Sequence, residues 1–266
     1  MEAFREVGVS ERQACKSVGI QRSTKRHKSQ RKDDALVRSK IVAMADARRR
    51  FGYRRITWML QREGLSINKK RVYRIYCEEN LQVRKRKRKK SRSFRQPLKP
   101  ATRPVERWSM DFVSDSLASG RRFRTLNVVD EFTRECLAIE VDFSLPGKRV
   151  ARVLDRLIWL HGRPERIVLD NGPEFTGTAL MEWSTKNNTF LDFIQPGRPM
   201  ENAICESFNG RFRDECLNES WFTDLDNARD VTAAWRDDYN CTRPHGAWGA
   251  LTPREVARLF NARVSA

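Results

Sequence analysis

The sequence predicts an α/β protein: a mixed five-stranded sheet with flanking helices, preceded by an all-α, strongly basic region. Three observations carry that reading. Charge is divided unevenly along the 266 residues: residues 1–107 hold 33 Lys and Arg against 10 Asp and Glu, and the remaining 159 hold 20 against 24. Helical periodicity runs to about Asn80, and strand-like alternation starts at Trp108. Beyond Trp108, three strand-like runs precede a regular exchange of helix and strand, the order expected of a mixed α/β sheet. The net charge of +19 points the front half toward a polyanion, nucleic acid before others.

Residues 1–32 read as a helical, basic arm. Ser10 can cap a helix to about Val18, and Gly19 ends it before a basic tail. A partial helix-turn-helix and a solvated N-terminal arm both fit that pattern. Residues 33–83 carry three helices. Asp33 and Asp34 suit a helix N-terminus, and Leu36, Val37, Ile41, Val42, Met44 and Ala45 supply an apolar stripe. Phe51-Gly52-Tyr53 breaks the chain, a second helix runs through Ile56, Met59 and Leu60 to about Gly64, and Asn68 caps the third. Lys69, Lys70, Arg71 and Arg74 project from the start of that third helix. Three helices with a basic last one is the layout of a major-groove reader; a plain three-helix bundle with solvated lysines is the other reading.

Residues 84–106 form a basic, proline-containing linker. Arg84, Lys85, Arg86, Lys87, Arg88, Lys89 and Lys90 are seven consecutive cations, too self-repulsive to fold alone and suited to releasing counterions from a phosphate backbone. Residues 107–222 read as the sheet domain. Trp108–Ser114, Phe123–Val129 and Cys136–Val141 make an antiparallel meander. A helix opened by Ser144 and Pro146 follows, then a strand over Arg166–Asp170. Ala179–Ser184 is helical, and Phe190–Ile194 is the fifth strand. Residues 223–266 form a helical tail.

The segment QPGRPMENAICESFNGRFRDECL starts in a proline-broken loop and becomes a helix. Ile204, Phe208 and Phe212 share one face. Asn202, Glu206, Asn209 and Arg213 share the opposite one. Asp111 sits in an apolar strand, and Asp170 ends IVLD before an Asn-Gly-Pro turn, where ligands gather in α/β sheets. Alone, Asp170 reads as an Asx-turn former. Three carboxylates gathered by one fold repel one another unless divalent cations neutralise them. Mg²⁺ takes oxygen ligands and substrate phosphates, and two ions about 3.5–4 Å apart can drive phosphodiester displacement. The six cysteines hold no CxxC pair, and none of the three histidines neighbours two cysteines, so a zinc site is not expected. The thiols read as reduced, in a cytosolic setting. No apolar run reaches the roughly 18–20 residues of a membrane span.

WSMDFV, VVDEFTRE, LDNGPEF, QPGRPMENAICESFNGRFRDECLN and YNCTRPHGAWGALTPREV resemble, in order, the second-frame transposase of the insertion-sequence-three family. RRFGYRRITWMLQREGLSINKKRVYRIY extends the likeness into the helical region. Thirty-five residues separate Asp170 from Glu206, the spacing of that family's acid motif. The resemblance implies an RNase H-like integrase core of the DDE group that cleaves element ends and transfers strands. It implies Asp111, Asp170 and Glu206 as catalytic acids holding two Mg²⁺, with Mn²⁺ as a substitute. Arg213, two turns beyond Glu206, matches a residue that contacts the element end. Asn171 and Gly172 match the turn that presents Asp170 and are assigned to shaping it. Asp130 and Glu174 match the pattern too, with local hydrogen bonding the stronger reading for both. Expected partners are double-stranded DNA of the terminal repeats and target, further copies of the chain, and an upstream-frame product as fusion or partner. The expected location is the bacterial cytoplasm, at the nucleoid. A silent DNA-binding regulator or remnant copy, and an RNase H-type nuclease, are the alternatives. Two departures stand out: Asn187-Asn188 replaces a glycine and an apolar residue, and Trp248 replaces leucine. The Tyr239, Asn240, Arg243, Pro244, His245 tail is read as closing the C-terminal helices.

Overall fold

The structure, a computed structural model, describes residues 10–26, 34–83, 100–195 and 202–264. Asp33, the run from Arg84 to Lys90 and residues 196–201, where the sequence predicts a loop, lie outside the described residues. The chain divides into two compact units, Met1–Lys40 and Ile41–Ala266. In the first, α1 (Glu11–Ser17) and α2 (Arg22–Arg26) flank Gly19, whose φ of +68° ends the first helix. Ser10 caps α1 by accepting from the Gln13 amide. Lys25 and Arg26 draw the Glu11 carboxyl down to about 2.

Helix α3 (Ala35–Ala47) runs across the division between the units. It buries Ile41 and Ala45, while Leu36, expected in its apolar stripe, is 68% exposed. Leu36 lies five residues before Ile41, well off its face at 100° per residue. In the second unit, α4 (Tyr53–Arg62) and α5 (Lys69–Glu78) pack together through Ile56, Leu60, Val72 and Ile75. The Asn68 side chain accepts from the Lys70 amide at 2.9 Å and caps α5.

The sheet holds β1 (Arg107–Ser116), β2 (Arg122–Asp130), β3 (Cys136–Asp142), β4 (Arg166–Leu169) and β5 (Phe190–Phe193), in the order β3-β2-β1-β4-β5. The first three strands are antiparallel, and β4 and β5 run parallel to β1. Helix α6 (Gly147–His161) covers one face, with α7 (Pro173–Thr176) and α8 (Thr178–Asn187). Trp108, Met110, Leu126, Val128, Ile167 and Leu169 meet Val150, Leu154 and Leu157 in that layer. On the other face, Val113, Phe123, Val129 and Val141 meet α9 (Ala203–Glu215) and α10 (Leu225–Cys241) through Phe208, Phe212 and Tyr239. Each such aromatic stabilises the fold by about 2–3 kcal/mol through burial. Cys205 and Phe208 carry the α9 core contact, with Ile204 only partly buried.

Asn188, one of the departures noted in the sequence, closes α8 in the left-handed region at φ 49°. Asn tolerates that conformation better than most residues with a Cβ. Trp248 packs against Phe132 and Phe260 in front of α11 (Pro253–Val264). Helices α3 and α4 with the turn between them are tied to the C-terminal layer by arginine pairs: Arg48 with Asp238, Arg50 with Glu219 and Arg62 with Glu255. No helix among the described residues is long and apolar enough to cross a membrane. All six cysteines are free thiols.

Candidate active site

Alternation along β1 sends Trp108 and Met110 toward α6, so Asp111 points to the face that carries α9. In the parallel pair, Ser109 stands opposite Val168. Carried two residues further at the same offset, that register brings Asp111 level with Asp170, on the same face. Asp170 lies just past the end of β4, in a turn shaped by its neighbours. The Gly172 amide donates to Asp170 Oδ1 at 3.0 Å, and Asn171 Nδ2 donates to the Ile194 carbonyl at 2.7 Å. A Cβ on Gly172 would stand 3.0 Å from that same Asp170 oxygen.

Helix α9 lies along β1 and is joined to it by polar side chains at three heights. Asn202 Nδ2 donates to the Met110 carbonyl at 3.2 Å, Asn209 Nδ2 to Asp111 Oδ2 at 2.8 Å, and Arg213 Nη2 to the Ser114 carbonyl at 3.1 Å. Glu206 stands on that face between Asn202 and Asn209, exposed to solvent. Asn202, expected among the groups lining a shared space, is instead 3% exposed. It ties the start of the helix to the strand through the Met110 carbonyl, without a side-chain capping bond.

Asp111 is half-buried, and its pKa is raised to about 6. Burial is the largest cause; the charges of Asp170 and Glu206 add to it, while the hydrogen bonds from the Phe112 amide and Asn209 oppose it. The two other acids are therefore close enough to act on Asp111. Among the described residues, no three Asp, Glu, His or Cys groups are gathered into a finished metal cage. The ligating groups near Asp111 are the carboxylates of Asp170 and Glu206, whose charges act on it, an oxygen set that suits a hard divalent cation completed by waters and phosphate oxygens.

Asn127 is the residue that sequence reasoning missed. It pairs with Asp111 across the β1–β2 ladder, is fully buried, and donates from Nδ2 to Asn209 Oδ1 at 2.7 Å. Because a carboxylate only accepts, Asp111 fixes which end of Asn209 faces it and leaves Oδ1 for Asn127. An amide inside the apolar run LNVV was the available signal, since buried polar groups need partners.

Asp130 organises the β2–β3 turn, accepting from the amides of Val105, Phe132 and Thr133 and from the Thr133 hydroxyl. Glu174 pairs with Arg124, which lies over the Phe112 ring. Of the α5 cations, Lys69 and Lys70 are exposed, while Arg74 is bonded to Glu78 at 2.7 Å. Asn240 closes the tail against the sheet, accepting from the Cys136 amide at 2.9 Å and donating to its carbonyl at 2.8 Å.

Sheet order and strand directions, with one acid inside β1 and another just past the end of the parallel β4, are those of an RNase H-like core of the integrase kind. Comparison with known proteins agrees. The integrase core domain family matches residues 101–199 and, through a second profile, 188–253; an HTH-like domain matches 31–89. The uncharacterized 31.7 kDa protein of insertion element IS407 from Burkholderia multivorans is 46% identical over 100% of this chain and 97% of its own length. InsK, the candidate transposase of insertion sequence element IS150 in Escherichia coli, is 28% identical over 78% of this chain and 77% of its own. Among solved structures, a chain of the simian T-cell lymphotropic virus intasome, in complex with PP2A regulatory subunit B56 gamma, superposes with a TM-score of 0.54. It covers 82% of this chain and 74% of that one at 15% identity, a likeness of fold. The chain belongs to the insertion-sequence-three family of DDE transposases, as a second-frame product with an integrase core and an HTH-like region.

Proposed function

We propose that this transposase cuts DNA at the ends of its element and joins the freed ends to a second strand, with Asp111, Asp170 and Glu206 holding two Mg²⁺ ions. Mn²⁺ can take their place. The observation that carries this reading is the register that brings Asp111 level with Asp170 beside the helix of Glu206. Bound there, the ions would activate the attacking oxygen and stabilise the departing one. Asp111 feels the charges of both other acids, so it would help to hold the ions beside each of them. Asn209 keeps one of its oxygens oriented, and Gly172 leaves room for the Asp170 carboxylate. Water, then the freed 3′-hydroxyl, attacks phosphorus, and the bond from phosphorus to the departing oxygen breaks. No covalent link to protein forms, so no Ser or Tyr nucleophile is required.

In the same reading residues 33–83 grip duplex DNA through Lys69, Lys70, Arg71 and Arg74. The 84–106 linker adds phosphate contacts from Arg84 to Lys90. Residues 107–222 carry the chemistry, with Arg213 on the element end, and 223–266 close the core. Copies of the chain assemble on the paired ends in the bacterial cytoplasm, with an upstream-frame product as fusion or partner. Asp170→Ala is expected to bind end-containing duplex as wild type does and to lose Mg²⁺-dependent nicking. Nicking that survives sinks the assignment. Wild type that binds but never cuts would make the chain a silent regulator, and cuts that are never joined would make it a nuclease.

A further inference from the structure

Behind α9, on the side away from Glu206, lies a cleft of about 310 Å³ lined by Arg55, Arg134, Arg211, Arg243 and His245. Four guanidiniums around one cleft are costly unless anions balance them. Arg243 is balanced: its side chain is 2% exposed and makes a two-pronged pair with Glu215, at 2.7 and 2.6 Å. Arg55 is 3.9 Å from the same carboxylate, which has already spent its oxygens on Arg243. Among the described residues, neither Arg134 nor Arg211 has a side-chain hydrogen bond or ion pair, and both line the cleft; the charge of Glu131 acts on Arg134, but that carboxylate is bonded to Arg107.

Two further observations mark the cleft as built for a ligand. His245 is 6% exposed, and its Nε2 is buried without a hydrogen-bond partner. Such a group costs free energy unless something comes to meet it. The imidazole is neutral, its pKa pushed to about 2 by burial first and then by Arg243, Arg211, Arg55 and Arg134. A neutral ring can carry its proton on Nε2 and donate it. The second observation is the backbone of Arg134, held at φ 67°. A residue with a long side chain pays about 1 kcal/mol there, where glycine would pay nothing. Strain of this kind gathers at sites of function.

We propose that this cleft is a phosphate-binding site, taking one phosphate group between Arg134, Arg211 and Arg55 with His245 Nε2 as a neutral donor. Guanidiniums match phosphate oxygens in pairs, which lysines do not. The phosphate comes either from the backbone of bound DNA or from a free phosphate compound. None of these residues bonds to Asp111 or Asp170, and the cleft lies across α9 from Glu206, so the inference stands apart from the metal reading.

Arg134→Gly suits the left-handed backbone and removes one cation; Arg211→Gln removes another from α9. Thermal melts of the full chain with inorganic pyrophosphate are compared with anisotropy binding of a random-sequence duplex across salt concentrations. For a free phosphate, pyrophosphate raises the wild-type melting temperature by at least about 3 °C, both variants lose the shift, and duplex binding is unchanged. For a backbone phosphate, each variant binds duplex about 5–10-fold more weakly with a salt slope smaller by about one, and pyrophosphate competes. Folded Arg134→Gly and Arg211→Gln proteins that treat both probes as wild type does overturn the proposal.

Discussion

Asn209 donates its Nδ2 to Asp111 Oδ2 at 2.8 Å, binding the helix that carries Glu206 to the strand that carries the first aspartate. Behind it, Asn127 holds the other end of the same amide at 2.7 Å. Two amides in series thus orient one carboxylate from within the core.

Asn209→Ala is expected to lower Mg²⁺-dependent cleavage by about 10–100-fold, the usual cost of losing an outer partner of a metal ligand. Duplex binding should be unchanged, while the Mg²⁺ concentration for half-maximal cleavage rises. A loss of activity with an unaltered metal requirement would assign Asn209 to the fold alone.

Asp111→Asn should kill cleavage and stabilise the metal-free chain at pH 7. The folded pKa of Asp111 is raised from 3.8 to about 6, so the folded state binds the proton more tightly than the unfolded one. That advantage is complete below about pH 4 and disappears as pH climbs through 6. Near neutrality the ionised group costs about 1–3 kcal/mol, which the amide avoids. Melting curves of both proteins in EDTA from pH 4.5 to 7.5 should diverge as pH rises; parallel curves would contradict this.

Gly172→Ala places a methyl 3.0 Å from Asp170 Oδ1. The Asp170 carboxylate, not the sheet, has to give way. Nicking should fall at least about tenfold, with the melting temperature within 2–3 °C of wild type, as a displaced reacting group costs rate steeply. Unaffected nicking would show that the turn tolerates the crowding.

Asn240→Ala leaves the buried amide and carbonyl of Cys136 without their partner. Each lost bond to a buried group costs about 1–3 kcal/mol, so urea unfolding should show a loss of roughly 2–4 kcal/mol. A loss below 1 kcal/mol would mean that water replaces the amide.

Much of this molecule could be read from residues alone, where the cause is local. Asn68 and Ser10 cap helices because their side chains reach amides two or three residues on. The strands follow from alternation and the α9 faces from a 3.6-residue period. The spacing of Asp111, Asp170 and Glu206 is itself a property of the sequence, so the proposal that they act together could be made from residues alone. What escaped is set by pairing between distant segments. Asn127 meets Asp111 only through the β1–β2 register, and nothing near either residue encodes it. Asn202 looked like a group facing a site, but the strand carbonyl that claims it is 92 positions away. The pairs of Arg48, Arg50 and Arg62 have no local signature either, because their carboxylates come from beyond residue 215.

The three-height attachment of α9 to β1 has a mechanical consequence. A helix held by Asn202, Asn209 and Arg213 against one strand can neither slide along it nor roll over it without breaking at least one hydrogen bond. In the proposed reading, any movement of Glu206 toward the two aspartates therefore falls first to its own side-chain torsions, on the timescale of rotamer changes rather than of helix motion.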